Sequence, residues 1–238
     1  MPAGATLLRF DRSHASANGL VGVDEAGRGA FAGPVTAAAV YLPASVLDDQ
    51  AFAQAAEGIN DSKQLRPAQR EHFAGVIRGW SAAFGVRAAI AEASVAEVET
   101  HNVIGATARA MTRALEALGL ALPQAMPGPL FAADSREADA PAVLIDGRPM
   151  TRVAFCHHGT VGGDAKSLAI ASASILAKVS RDATMSRLGT AFPHYHWADN
   201  KGYGGCRRHR QAILDHGACE HHRSAYLRNL LASGANRD

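Results

Sequence analysis

Apolar residues fall in short blocks along this chain, parted by glycine, proline and polar clusters. Leu20-Val21-Gly22-Val23 predicts a buried strand over 20–24, and Val35 to Tyr41 predicts a second over 34–42, ended by Pro43. The segment between them is rich in glycine, which suits a hairpin. A helix is expected from Pro67, a favoured first-turn residue, toward Trp80. Phe84 to Ile90 alternates weakly and suits a third strand. Ser94 and Glu97 match a capping box, so a helix should run from there to about Leu118 and stop at Gly119. Ala142 to Ile145 predicts a short buried strand before Asp146-Gly147, and Val153 to Cys156 another. A long helix with many small residues is expected over Lys166 to Leu188. Phe192 to Gly205 reads as an aromatic loop. Residues 207–231 read as two helical pieces broken near Gly217. Residues 1–17 and 233–238 read as loose tails. Residues 120–141 contain Pro123, Pro127, Pro129 and Pro141, so a surface loop is expected, long for a compact domain. Strands come first and then alternate with helices, which predicts an α/β domain with a mixed sheet.

Composition sharpens this only slightly. In 238 residues, 47% are apolar and 19% charged, ordinary proportions for a globular protein able to bury a large core. No run of 18 or more apolar residues predicts a membrane helix, and residues 1–19 do not resemble a secretory signal. Cys156, Cys206 and Cys219 fit neither a disulfide framework nor a zinc ribbon, so a reducing cytoplasm is expected. Net charge is +2, too small to announce nucleic acid. Residues 201–228 are different. Lys201, Arg207, Arg208, Arg210, Arg223 and Arg228 face only Asp215 and Glu220, a local excess of +4 with four histidines. Such a patch suits phosphate, though an exposed helix face carries similar charge.

The most informative chemistry is Asp24-Glu25-Ala26-Gly27-Arg28-Gly29. Two carboxylates at the end of a buried strand are costly to desolvate unless something pairs with them, and a hard divalent cation is a natural partner. Adjacent residues of a regular strand face opposite sides, so both acids can share one site only if the strand breaks there. The glycine-flanked Arg28 offers amide donors and a guanidinium to a phosphodiester. Asp146-Gly147 is also a common turn pair, and Asp164 could be a plain helix cap. Asp182 follows Lys178 by four residues and suits an ion pair on the helix. The histidine pairs 157/158, 194/196 and 221/222 make only a weak zinc signal.

These motifs resemble, in order, the signature of type 2 ribonuclease H, and specifically bacterial ribonuclease HII. The resemblance spans roughly residues 20–226. It is carried by Asp24 to Gly29, Gly33-Pro34-Val35, Asp61-Ser62-Lys63-Gln64-Leu65, Ile145-Asp146-Gly147, Gly163-Asp164, Ala171 to Asp182, and Lys201-Gly202-Tyr203-Gly204. It implies a ribonuclease H-like mixed sheet flanked by helices, with a catalytic core over 18–190 and a small C-terminal helical subdomain over 191–232. It implies Asp24, Glu25, Asp146 and Asp164 as catalytic metal ligands for Mg²⁺ or Mn²⁺ in a two-metal mechanism. Substrate would meet Gly27, Arg28, Gly29, Ser62, Lys63 and Tyr203, with the turn and Tyr203 sensing the 2′-hydroxyl at an RNA–DNA junction. The implied partners are RNA–DNA hybrids and duplex DNA with embedded ribonucleotides, cut 5′ to the ribonucleotide to leave 5′-phosphate and 3′-hydroxyl ends. A monomer serving ribonucleotide removal in replication and repair is expected. Where the family usually has threonine after Gly-Tyr-Gly, this chain has Gly205, which removes a side-chain contact there. Ribonuclease HIII is the near alternative, but it carries an added N-terminal domain, and only about 19 residues precede the first strand here. A non-catalytic binding module would lack the acids. A junction resolvase shares the metal logic but not the glycine-arginine-glycine turn.

Overall fold

The computed structural model describes residues 3–124 and 140–235. Five strands form one sheet in the order β3-β2-β1-β4-β5. Strands β1 (Leu20–Ala26), β2 (Val35–Leu42) and β3 (Arg87–Ala93) make an antiparallel meander. Strands β4 (Ala142–Asp146) and β5 (His158–Thr160) add in parallel beyond β1. The two central strands are covered on both faces, which is why they read as nearly unbroken apolar runs.

Alternation sorts the side chains. Leu20, Ala38, Val40, Leu42 and Leu144 face a layer built from α1 (Ala3–His14), α2 (Gln50–Ala55), α3 (Pro67–Phe84) and α5 (Leu168–Ala191). Val21, Val23, Ala37, Ala39, Val143 and Ile145 face α4 (Val95–Ala117). Gly22 explains how closely α5 lies on β1: a Cβ there would run into the Ala169–Ile170 backbone. The Ser94–Glu97 capping box opens α4 as expected. Within α4, Asn102 sits at φ 55° and its side chain accepts the Ile104 and Gly105 amides at 3.0 and 3.1 Å, restarting the helix after a kink.

Three helices follow α5: α6 (Trp197–Asn200), α7 (Arg207–His216) and α8 (Ser224–Ala235). Tyr195, Trp197, Ala212, Ile213 and Leu227 form their small core, which also takes in Ala32 from the turn after β1 and Met185 from α5. His209 and His222 are buried in it, with Trp197 Nε1 donating to His209 Nε2 at 3.0 Å. Burial, then the neighbouring His209, pushes the His222 pKa down to about 4. These two histidines are core residues. No disulfide forms among the described residues.

Several expectations need correction. Residues 3–14 are not a loose tail: Leu7 and Leu8 bury one face of α1, and Asp11 is fully buried, accepting the Ala169 amide at 3.0 Å. Residues 233–235 continue α8. The strand expected at Val153–Cys156 is absent, because Val153 and Phe155 point into the α4-side core while β5 forms at 158–160. The third strand begins at Arg87, since Gly85 at φ 69° ends α3 first. Residues 125–139 of the expected 120–141 loop lie outside the described residues. Its two ends are tied at the start of β4: Pro123 O accepts from the Cys156 amide at 2.8 Å and Ala140 O from Ser16 Oγ at 2.7 Å.

Candidate active site

The parallel register sets Val23 beside Ile145, so the next residues, Asp24 and Asp146, sit level and on one face, Asp146 closing β4 and Asp24 two residues before the end of β1. Asp164 sits in the single 3₁₀ turn Gly163–Ala165 just before α5. Carboxylate oxygens of Asp24, Asp146 and Asp164 lie within 4.8 Å of one another. Asp146 Oδ1 accepts the Gly163 amide at 2.6 Å, which joins the end of β4 to the turn that carries Asp164. Asp24 is held by the Glu25 amide at 2.7 Å and by the hydroxyl of Ser174, one turn and more into α5.

Glu25 does not join them through a break in β1. The strand pairs regularly with β2 through Asp24, Glu25 and Ala26 opposite Ala38, Ala37 and Thr36. By alternation Glu25 therefore starts from the other face, beyond the last pair of β4. Its Oε1 accepts from Arg28 at 3.0 Å, and it remains near enough to Asp146 and Lys63 to feel their charges.

Burial raises the Asp24 pKa well above the ordinary carboxylate value, and the charges of Glu25 and Asp146 raise it further. Burial also raises Glu25, against the opposing pull of Arg28. Lys63 Nζ reaches Asp164 Oδ2 at 2.8 Å while most of its side chain stays in solvent. An all-oxygen set of converging, mutually repelling carboxylates fits a hard divalent cation, which would relieve the repulsion that raises Asp24.

The turn after β1 is built against the C-terminal segment. Ala30 bridges to Tyr203, and the Phe31 and Ala32 amides both donate to Gly202 O, at 2.9 and 3.2 Å. Gly27 is buried at φ 88°, and the space a Cβ would need is filled by Arg181. Gly29 is exposed with open space around it. The Tyr203 ring lies 5.2 Å from Lys178 Nζ and 5.1 Å from Arg181 Cζ. It borders a groove of about 720 Å³ lined also by Arg70, Lys178, Asp182 and Lys201.

The other expected residues separate. The Ser62 hydroxyl points inward: it is buried and lies 2.7 Å from Ser174 Oγ, so it supports Asp24 through Ser174. Asp182 stays off the acid cluster and pairs with Lys178 at 2.7 Å. Arg223, counted in the basic patch, is fully buried and adds nothing to the surface charge, whereas Arg207, Arg208 and Arg228 are exposed. Arg181, expected from the sequence to support the site or the helix surface, does so from the core. Sequence reasoning missed the structural work of Ser174 and Arg223; Ser174 stands inside the Ala171–Asp182 motif, where its fixed place was the available signal.

The fold is shared with solved structures of low sequence identity. Ribonuclease HII of Archaeoglobus fulgidus, solved in complex with PCNA, matches at TM-score 0.63 with 20% identity, over 89% of this chain and 96% of that one. Bst-RNase HIII in complex with Mn²⁺ matches at 0.58 with 19% identity, over 93% and 72%. With three acids gathered beside β1 and β4, this chain has the ribonuclease H-like fold. The model of the ribonuclease HII family matches residues 21–229. Curated ribonucleases HII of Trichodesmium erythraeum and Granulibacter bethesdensis are 40% and 41% identical, covering 86% and 96% of this chain and 85% and 94% of theirs. The chain belongs to the ribonuclease HII family, and it is a ribonuclease H, a divalent-metal-dependent enzyme that hydrolyses RNA in RNA–DNA hybrids.

Proposed function

We propose that this enzyme also cuts duplex DNA on the 5′ side of a single embedded ribonucleotide, leaving 5′-phosphate and 3′-hydroxyl ends, and so serves ribonucleotide removal during replication and repair. One observation carries the reading: the exposed Arg28-Gly29 turn is hydrogen-bonded through Ala30, Phe31 and Ala32 to the segment bearing Tyr203, right beside the acids. A hydroxyl-sensing turn and a stacking ring fixed to each other can read one sugar without needing a long hybrid.

In this reading Asp24, Glu25, Asp146 and Asp164 hold two divalent cations, Mg²⁺ or Mn²⁺, which would activate the attacking water and stabilise the leaving oxygen. The chain's own residues do the rest. Ser174 and the Gly163 amide fix the carboxylate orientations of Asp24 and Asp146. Arg28 balances Glu25, and Lys63 balances Asp164 and offers its exposed ammonium to a phosphate. Gly29 leaves backbone open to the 2′-hydroxyl, and Gly27 lets the turn close over Arg181. Tyr203 stacks on the sugar at the junction. Residues 18–190 serve as the catalytic core and 191–232 as the subdomain that grips the duplex, with Arg207, Arg208 and Arg228 as its exposed cations. We place it in the cytoplasm as a monomer.

The test is cleavage of three duplexes at equal concentration: one with a single ribonucleotide, one all DNA, and a four-way DNA junction. Cutting only the first, 5′ to the ribonucleotide, is expected. Equal cutting of the junction, or no cutting of the first under conditions where a long hybrid is cut, would overturn the reading.

A further inference from the structure

Two arginines are fully buried on the inner side of the turn, and neither lies within ion-pair distance of a carboxylate among the described residues. Arg181 donates to the carbonyls of Pro34, Ala32 and Lys201 at 3.0, 2.9 and 3.0 Å. Arg223, in the turn that opens α8, donates twice to Gly33 O, at 3.0 and 2.7 Å, and once to Arg28 O at 3.0 Å. A buried cation without an anion is a costly way to fill space. What these side chains supply is direction: they draw carbonyls of residues 28–34 inward.

The direction of one peptide matters most. No cis peptide bond occurs among the described residues, so the C=O of residue 28 and the N–H of residue 29 point opposite ways. Arg28 O accepts from both Arg223 Nη1 and the Tyr226 hydroxyl, the latter at 3.1 Å. The Gly29 N–H is thereby turned away from the Arg223 guanidinium and the Tyr226 hydroxyl, and among the described residues it has no backbone acceptor, while Gly29 itself is exposed. We propose that Arg223 is a positioning residue for ribonucleotide selection, fixing the Arg28–Gly29 peptide so that its amide faces the sugar. The inference rests on the reading that the Gly27-Arg28-Gly29 turn contacts the ribonucleotide.

The test is binding, measured by fluorescence anisotropy in an Asp146→Asn background that cannot cut. The probes are a DNA duplex with one ribonucleotide and the same duplex all in DNA. Arg223→Lys keeps the charge but cannot make the three-bond fork. It should cut the preference for the ribonucleotide about tenfold, leaving affinity for all-DNA duplex within about twofold. Tyr226→Phe removes the second donor to Arg28 O at the surface and should lower the preference about twofold. An unchanged preference in folded Arg223→Lys and Tyr226→Phe overturns the proposal. So does an equal loss on both duplexes, which is what a merely structural arginine would give. Should Arg223→Lys fail to fold, Tyr226→Phe alone decides. If the background protein itself shows no preference, it is the reading of the turn that fails, whatever Arg223 does.

Discussion

Asp11→Asn should remove the pH dependence of stability at one buried position. Asp11 comes from α1 and caps the start of α5, accepting the Ala169 amide at 3.0 Å, while its Oδ1 has no partner. Burial pushes its pKa up to about 7, against the lowering effect of hydrogen bonds from Ser167, Ala169 and Leu168. The unfolded chain releases this proton near pH 4, and the folded chain keeps it until about 7. Between those values the native state binds more protons, so stability falls as pH rises through the window and is level above it. A shift of about three units, at about 1.4 kcal/mol each, sets an upper bound of roughly 4 kcal/mol lost by pH 8. Asparagine keeps the acceptor and carries no charge, but its amide group replaces the partnerless oxygen and leaves a donor unsatisfied, a cost of about 1 kcal/mol. The variant should therefore be about 1 kcal/mol less stable than the parent near pH 3, about equal to it near pH 4.5, and up to about 3 kcal/mol more stable at pH 8. Urea unfolding of both proteins across that range reads the difference, in which His222 and every other titrating group cancels. A difference that stays constant with pH would refute the reasoning, and would mean that the amides at the start of α5 hold Asp11 ionised.

Asp24→Asn should lower cleavage at least about a hundredfold, on the order of 3 kcal/mol, and raise the melting temperature of the metal-free protein by removing buried repulsion; Mg²⁺ should then stabilise the parent far more than the variant, and near-normal cleavage would sink the assignment. Tyr203→Ala should lower activity more on a single embedded ribonucleotide than on a long hybrid, because a lone junction offers no second register. Equal losses on the two substrates would make Tyr203 a structural residue between Lys178 and Arg181. Replacing residues 125–139 by a short glycine-serine turn should leave cleavage and its salt dependence unchanged, since the flanking residues Pro123 and Ala140 are anchored at the opposite end of β4 from Asp146. A several-fold loss of hybrid binding with the fold intact would place that segment on the recognition surface.

The strands and acids were legible because their signals are local. Leu20–Val23 and Ala142–Ile145 are apolar runs that end on aspartate, and Ser94–Glu97 announces its helix. What escaped is carried by single buried polar groups whose partners lie far off in the chain. Nothing near Asp11 hints that it will meet Ala169, 158 residues away. Arg223 looks like one more cation of a basic patch until its two carbonyl partners, Gly33 and Arg28, up to 195 residues earlier, are seen. Ser62 stands in a motif that suggests substrate, and only the packing of α5 turns its hydroxyl inward. The continuous register of β1 past Glu25 was hidden for a related reason: the glycines beyond it suggested a break, but pairing with β2 runs on to Ala26, just short of Gly27.

The register of β1 bears on how the protein folds. The meander of β1, β2 and β3 closes within residues 20–93, whereas β4 pairs with β1 only after the chain has run to residue 142. Pairings so distant in sequence form late, because their loop closure must be completed first. Asp24 sits on the seam between the early and the late halves, and Asp146 and Asp164 arrive with the late one. The negative charge that Asp146 and Asp164 add beside Asp24 is thus absent while the nucleus forms and appears only as the last strand and α5 close. Relieving it by substitution or by a cation should slow unfolding and leave the folding rate nearly unchanged. The enzyme's working acids then govern how long the native state lasts, and hardly at all how quickly it is reached.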